Sequence, residues 1–201
     1  MFMHDLYTIG HSIHSLDRFL ELLTMHGITA LCDVRSSPYS RFTPQFNRET
    51  LKAEILEHRM AYIYLGKELG PRSSEPACYE NGRVRYDLLA GSDSFRQGLV
   101  RLQRGMASYR IALMCAEKDP VTCHRMILIC RHLRNVGVEI GHILEDGSVE
   151  SNQDAETRLL KLLKMTPEDL FSSMEEQITR AYDQQGEKIA YTIQEKGEPY
   201  A

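Results

Sequence analysis

No stretch of this sequence approaches the roughly 18 consecutive apolar residues of a membrane-spanning helix, so none is expected to cross a bilayer. The opening residues, Met1-Phe2-Met3-His4-Asp5, lack the basic segment and apolar run of a signal peptide. The dinucleotide-binding pattern G-x-G-x-x-G, the phosphate-loop pattern G-x-x-x-x-G-K-[ST] and the zinc-protease pattern H-E-x-x-H are all missing. Nucleotide cofactors and that form of zinc chemistry therefore have no motif behind them, and the cofactor is unknown. Also missing are an internal repeat, the spacing of a phosphatase-type Cys–Arg phosphate loop, and a strongly basic balance. The net charge is −4, which does not support a broad nucleic-acid surface. The five cysteines are an odd number in apolar, strand-like or helix-like contexts. They read as free thiols in a reducing compartment rather than a disulfide framework, so the chain is expected to be cytoplasmic.

What is present suits an ordinary globular domain: 201 residues, 42% hydrophobic and 26% charged. Its charge is uneven. Residues 1–144 hold 18 Lys+Arg against 15 Asp+Glu, and residues 145–201 hold 6 against 13. In the first part 15 of the 18 cations are Arg, whose planar fork suits phosphate or carboxylate, so the bias points toward an anionic ligand.

Strand and helix signals alternate through the first part, which predicts an α/β three-layer fold: a mainly parallel sheet of about five strands with helices on both faces. Strands are expected at Leu6–Ile9, Thr29–Val34, Ala61–Leu65, Ile111–Met114 and Val138–Leu144. Helices are expected after Ser15, at Arg48–His58, at Ser94–Met106 and at Met126–Val136. Gly66–Gly91 has little periodicity and reads as a long loop, a candidate lid. Residues 1–145 form the α/β unit in this reading, and residues 146–201 an acidic helical extension, with a helix start at Thr166-Pro-Glu-Asp169.

The densest chemistry lies in Cys115-Ala-Glu-Lys-Asp-Pro-Val-Thr-Cys-His-Arg125, between a strand and a helix pattern. Parallel sheets bind ligands outside the carboxyl ends of their strands, and this is such an end. Asp119 as N-cap and Pro120 at the first helical position predict a helix start there, with free N–H groups attractive to anions. The 3-4-3-4 spacing from Cys123 turns it inward, toward Cys115. The pair reads as an activated thiolate with His124, a redox pair, two metal ligands completed by a histidine, or two small buried hydrophobes. C-x7-C-H is not a familiar zinc spacing, so no metal ligand is assigned from it. His11 and Asp33 end strands expected to be neighbours, where a His–carboxylate pair suits proton transfer. Glu117 suits an acid/base role or a turn cap, and Arg35, Arg41, Arg72 and Arg125 form a candidate anion clamp with Ser12 nearby.

These same pieces resemble one family, a domain of unknown function numbered 488. They are Thr8-Ile-Gly-His-Ser12, Leu31-Cys-Asp-Val-Arg35 with Pro38 and Ser40-Arg41, Leu65-Gly66 with Leu69-Gly70, Leu113-Met-Cys-Ala-Glu-Lys118, Cys123-His-Arg125, and His142-Ile143. The likeness spans roughly residues 5–145. It implies a three-layer α/β domain of bacteria or archaea and points to the same cysteine turn, without supplying a reaction.

The residues lead to an enzyme, a hydrolase or transferase in class, acting on an anionic nucleotide-like, phosphorylated or carboxylated small molecule, with a nucleic-acid end or base as a further candidate that the net charge does not support. Arg35, Arg41, Arg72, Arg125 and Ser12 would bind it, and His11, Asp33, Cys115, Glu117, Cys123 and His124 would carry the chemistry. The alternative is a non-catalytic anion- or metal-binding sensor or adaptor. Oligomeric state is left open, and no membrane partner is expected.

Overall fold

The computed structural model describes residues 4–165 and 172–193. Its main sheet has six strands, one more than expected: β1 (Leu6–Gly10), β2 (Ala30–Asp33), β3 (Ala61–Tyr64), β6 (Ile111–Cys115), β7 (Ile140–Ile143) and β8 (Val149–Ser151). They lie in the order β3-β2-β6-β1-β7-β8, all parallel except β8, which pairs antiparallel with β7. A short hairpin of β4 (Tyr79–Glu80) and β5 (Arg83–Val84) stands apart.

The central strands β1, β2, β6 and β7 are mostly apolar and buried along their whole length because both faces are covered. On β6, Ile111, Leu113 and Cys115 face one core while Ala112 and Met114 face the other. The second core packs α1 (Leu16–Met25) and α2 (Arg48–Glu57) through Phe19, Leu23, Leu51 and Ile55. Ser15 caps α1 by accepting the Arg18 N–H, and Gly27 ends it at φ 62°, as the sequence indicates. The first core packs α4 (Asp93–Met106) and a helix that runs as a π-turn over Arg125–Cys130 and then as α5 (Arg131–Arg134).

The segment Gly66–Gly91 carries more structure than its composition shows: a 3-10 turn at Pro76–Cys78, the β4–β5 hairpin and α3 (Tyr86–Ala90). Beyond residue 145, β8 extends the sheet, and α6 (Asn152–Leu162) and α7 (Met174–Ile189) cover the π-turn. Leu159, Ile178, Ala181 and Tyr182 share a third core with Val121, Met126 and Ile127. The composition changes at 145, but the sheet and the packing continue across it. The helix start read at Thr166–Asp169 lies outside the described residues. No helix among the described residues is long and apolar enough to cross a membrane.

Registers of Gly10 with Cys115, Asp33 with Met114 and Asp33 with Tyr64 bring four carboxyl strand ends to one edge. The strand order separates two of them, because β6 lies between β1 and β2. His11 and Asp33 therefore do not end adjacent strands, and whatever joins them must cross the end of β6.

Candidate functional site

Asp119 does cap a turn, accepting the Val121 N–H at 3.1 Å, but that turn is a single 3-10 stretch, Pro120–Thr122. The chain then extends at Cys123 (φ −126°, ψ 140°), so the long helix begins at Arg125 rather than at Pro120. Cys123 takes over the capping position. Its carbonyl accepts the Met126 and Ile127 N–H groups, and its Sγ accepts the Arg125 N–H at 3.5 Å. A thiol thus sits at a helix N-terminus, where the dipole favours negative charge.

Cys115, on the same face of the sheet, meets it there. The Cys115 thiol donates to Glu117 Oε2 at 2.7 Å, and Cys123 Sγ lies 3.2 Å from the same oxygen. His124 Nδ1 is 3.5 Å from Cys115 Sγ and 3.8 Å from Cys123 Sγ. The remaining imidazole nitrogen, Nε2, is 3.1 Å from the Val34 carbonyl. A carbonyl only accepts, so Nε2 carries a proton and Nδ1 is the nitrogen that faces the sulfurs. Both thiols and His124 are buried, whereas Glu117 is exposed. Burial pushes the Cys115 thiol well above its ordinary range, reinforced by Cys123 and Glu117. Burial opposes ionisation of Cys123 as well, yet the neighbouring Cys115, Arg125 and His124 hold it well below that range. The two sulfurs are therefore pushed apart, one toward thiol and one toward thiolate.

Arg35 fills the gap between His11 and Asp33. Its Nε and Nη2 donate to the Asp33 carboxylate at 2.9 and 2.6 Å, Nη2 donates to the Phe46 carbonyl, and Nη1 donates to His11 Nε2 at 3.2 Å. Tyr62 adds a hydroxyl to Asp33 at 2.7 Å. His11 Nδ1 donates to the Ser12 carbonyl, and its ring stacks on Phe46 with centroids 4.3 Å apart. Burial and the Arg35 charge pull the His11 pKa down to about 4, so the ring is neutral and both its nitrogens are partnered. The expected His–carboxylate pair is instead a His–Arg–carboxylate network, which holds the strand ends rigidly.

The remaining residues singled out from the sequence separate by exposure. Arg125 is 0% exposed and donates to the Glu117 and Lys118 carbonyls and to Thr8 Oγ1. Ser12 is half-buried at φ 47°, a left-handed conformation that costs energy for a non-glycine residue and clusters at functional turns. Arg41 and Arg72 are exposed, and their guanidinium groups lie over the Phe42 and Tyr191 rings. Of the four arginines of the expected clamp, Arg35 and Arg125 are thus buried and Arg41 and Arg72 exposed. Gly10 has a reason to be glycine: a Cβ there would sit 1.9 Å from the Glu117 carbonyl oxygen. Sequence reasoning missed Tyr86, at the start of α3, whose hydroxyl is pushed upward by burial and by Cys123, Cys115 and Glu117 beside it. It missed the Val34 carbonyl too, and gave Thr8 no role beyond the family likeness. A tyrosine inside a stretch without periodicity gives no signal, and a backbone carbonyl gives none anywhere.

An open α/β sheet with a thiol–imidazole–carboxylate cluster at its carboxyl edge defines the class of protein. The sequence profile of the domain of unknown function DUF488 matches residues 15–131, more than half of the chain, which therefore belongs to that family. The cysteine turn falls inside the matched stretch, while Thr8–Ser12 and His142–Ile143 fall outside it. No curated protein and no solved structure matches the chain.

Proposed function

We propose that this chain is an enzyme acting on an anionic, nucleotide-like or phosphorylated substrate at the carboxyl edge of the sheet. Glu117 is the solvent-facing proton-transfer group, and Cys115, Cys123 and His124 beneath it form the reacting centre. One observation carries this reading: two sulfurs from different elements converge on a single oxygen of an exposed carboxylate. Electrostatics support the choice of substrate. Two guanidinium groups, Arg35 and Arg125, are buried under this edge, and only Arg35 has a carboxylate partner among the described residues. Buried guanidinium charge at this edge favours an arriving anion. Arg41, which is exposed, and Ser12, which is half-buried, would receive it. Arg35, His11 and Asp33 act from below, fixing the loops that carry the rim.

The burial of both thiols favours the second reading, a non-catalytic metal- or anion-binding sensor, since a bulky substrate does not reach sulfur directly. A panel of nucleoside phosphates, sugar phosphates and small carboxylates separates the two, scored for melting shift and for turnover. The enzyme reading expects turnover of one class, with Glu117→Gln losing about 100-fold or more in kcat while still showing the substrate-induced shift. A shift without turnover supports the sensor. No shift and no turnover across the panel overturns both.

A further inference from the structure

We propose that Cys115, Cys123, His124 and Glu117 form a binding site for a zinc-type divalent metal ion, with Glu117 as the exchangeable, solvent-side ligand. The inference rests on the same edge site as the proposed function and gives it a cofactor. The four ligand atoms all lie within 4.8 Å of one another. Tetrahedral zinc, with Zn–S near 2.3 Å and Zn–N near 2.0 Å, needs ligand separations of about 3.5–3.8 Å. His124 Nδ1 stands 3.5 and 3.8 Å from the two sulfurs, at that spacing, while Glu117 Oε2, 2.7 and 3.2 Å from them as a hydrogen-bond partner, must move outward when a metal replaces the thiol protons. Two sulfurs, an imidazole nitrogen and a carboxylate oxygen are a borderline-soft donor set that suits zinc over magnesium or calcium.

The surroundings also suit a metal. A histidine that binds metal through one nitrogen commonly donates its other N–H to a carbonyl, which fixes the tautomer and the ring plane, and His124 does this with Val34. Two thiolates and a carboxylate carry three negative charges. A divalent ion and the adjacent Arg125 guanidinium cancel them. Three of the ligands are buried and one is exposed, the pattern of a site with one open position rather than a fully closed structural site. The ligands come from β6, the turn after it and the start of the following helix, so metal binding would lock the loop spanning 115–125.

Cobalt titration of the full-length wild-type chain tests this without requiring any substrate. The expected result is a thiolate-to-cobalt charge-transfer band, with visible bands of tetrahedral intensity, saturating at one ion per chain and abolished by equimolar zinc. A Cys115→Ser/Cys123→Ser double variant should lose the band. His124→Ala should weaken binding beyond the about 10–100-fold typical of outer-shell changes. In case those variants do not fold, X-ray absorption of the zinc-loaded wild-type protein should show two sulfur neighbours near 2.3 Å. Absence of the cobalt band, its persistence in a folded double variant, or a zinc shell without sulfur overturns the proposal. Metal binding without turnover leaves the site standing and removes the enzyme reading. Turnover by protein that binds no metal does the reverse.

Discussion

Replacing Arg35 with methionine tests whether the His11–Arg35–Asp33 network holds the edge together. Asp33 is 0% exposed and Arg35 is 6% exposed, so the pair is shielded from water. The substitution removes the bonds of 2.9 and 2.6 Å to the carboxylate, the bond to the Phe46 carbonyl and the donor to His11 Nε2. Asp33 keeps the Tyr62 hydroxyl and the backbone N–H of residue 35. Breaking a buried ion pair by deleting one partner typically costs about 3–5 kcal/mol, and the two surviving donors place this case near 3 kcal/mol. In a chain of this length that corresponds to a fall in Tm of about 6–12 °C. Calorimetry or urea unfolding reads it, and the Asp33→Asn/Arg35→Met double variant should recover at least about 1 kcal/mol through removal of the orphaned charge. An Arg35→Met protein within about 0.5 kcal/mol of wild type, or a double variant whose costs simply add, would refute the reasoning.

Other perturbations follow from the same geometry. Burial, then Arg125, lowers the His142 pKa from 6.5 to about 3, so between those values the unfolded chain binds a proton that the folded chain refuses. Stability should therefore fall as pH drops below about 6.5, by up to about 1.4 kcal/mol per unit from this one group, and His142→Gln should flatten that slope in urea unfolding at stepped pH. An unchanged slope counts against a neutral, buried His142. Gly10→Ala should cost at least about 1–3 kcal/mol, because its Cβ meets backbone 1.9 Å away, and should weaken cobalt binding by displacing the Glu117 turn. A normal Tm would show that the turn yields freely. Tyr182→Phe removes a 2.8 Å donor from the buried Glu156 carboxylate and should cost about 1–3 kcal/mol in thermal unfolding, whereas a neutral result would mean the remaining donors suffice.

The sequence made the sheet and the location of the site legible for a definite physical reason. Strands covered on both faces are continuous apolar runs, and Leu6–Gly10, Ala30–Asp33 and Ile111–Cys115 stand out as such. Parallel pairing then puts their polar ends on one edge, and the inward spacing of Cys123 predicts its approach to Cys115. The order of strands was not legible, because it depends on which helix covers which face. That order turned a presumed His11–Asp33 contact into one bridged by Arg35. Nor was β8 legible: three residues, Val149–Ser151, are too few to show a period. The helix start was misplaced because Asp119-Pro120 is a sound capping signal that the structure uses for a single turn. Of the cluster, Cys115, Glu117, Cys123 and His124 were read from one segment, yet the direction in which His124 points is set by Val34, which lies 90 residues earlier.

Beyond residue 145 the chain does something its acidic composition conceals. Arg125 Nε donates to Thr8 Oγ1, which lies 2.8 Å from His142 Nδ1. His142 Nε2 faces Asn152 Oδ1, and Asn152 Nδ2 donates to Glu156, which also receives Tyr182 and Arg134. Because Asn152 must give its N–H to the carboxylate, each proton in the row is assigned a single direction, from a buried cation to a buried anion. A fragment cut at residue 145 would therefore lose more than an edge strand and two helices. It would strand His142 without its acceptor and bare the apolar side of the π-turn that follows the cysteine loop. The packed unit therefore extends well past residue 131, where the family match ends, and takes in α6 and α7.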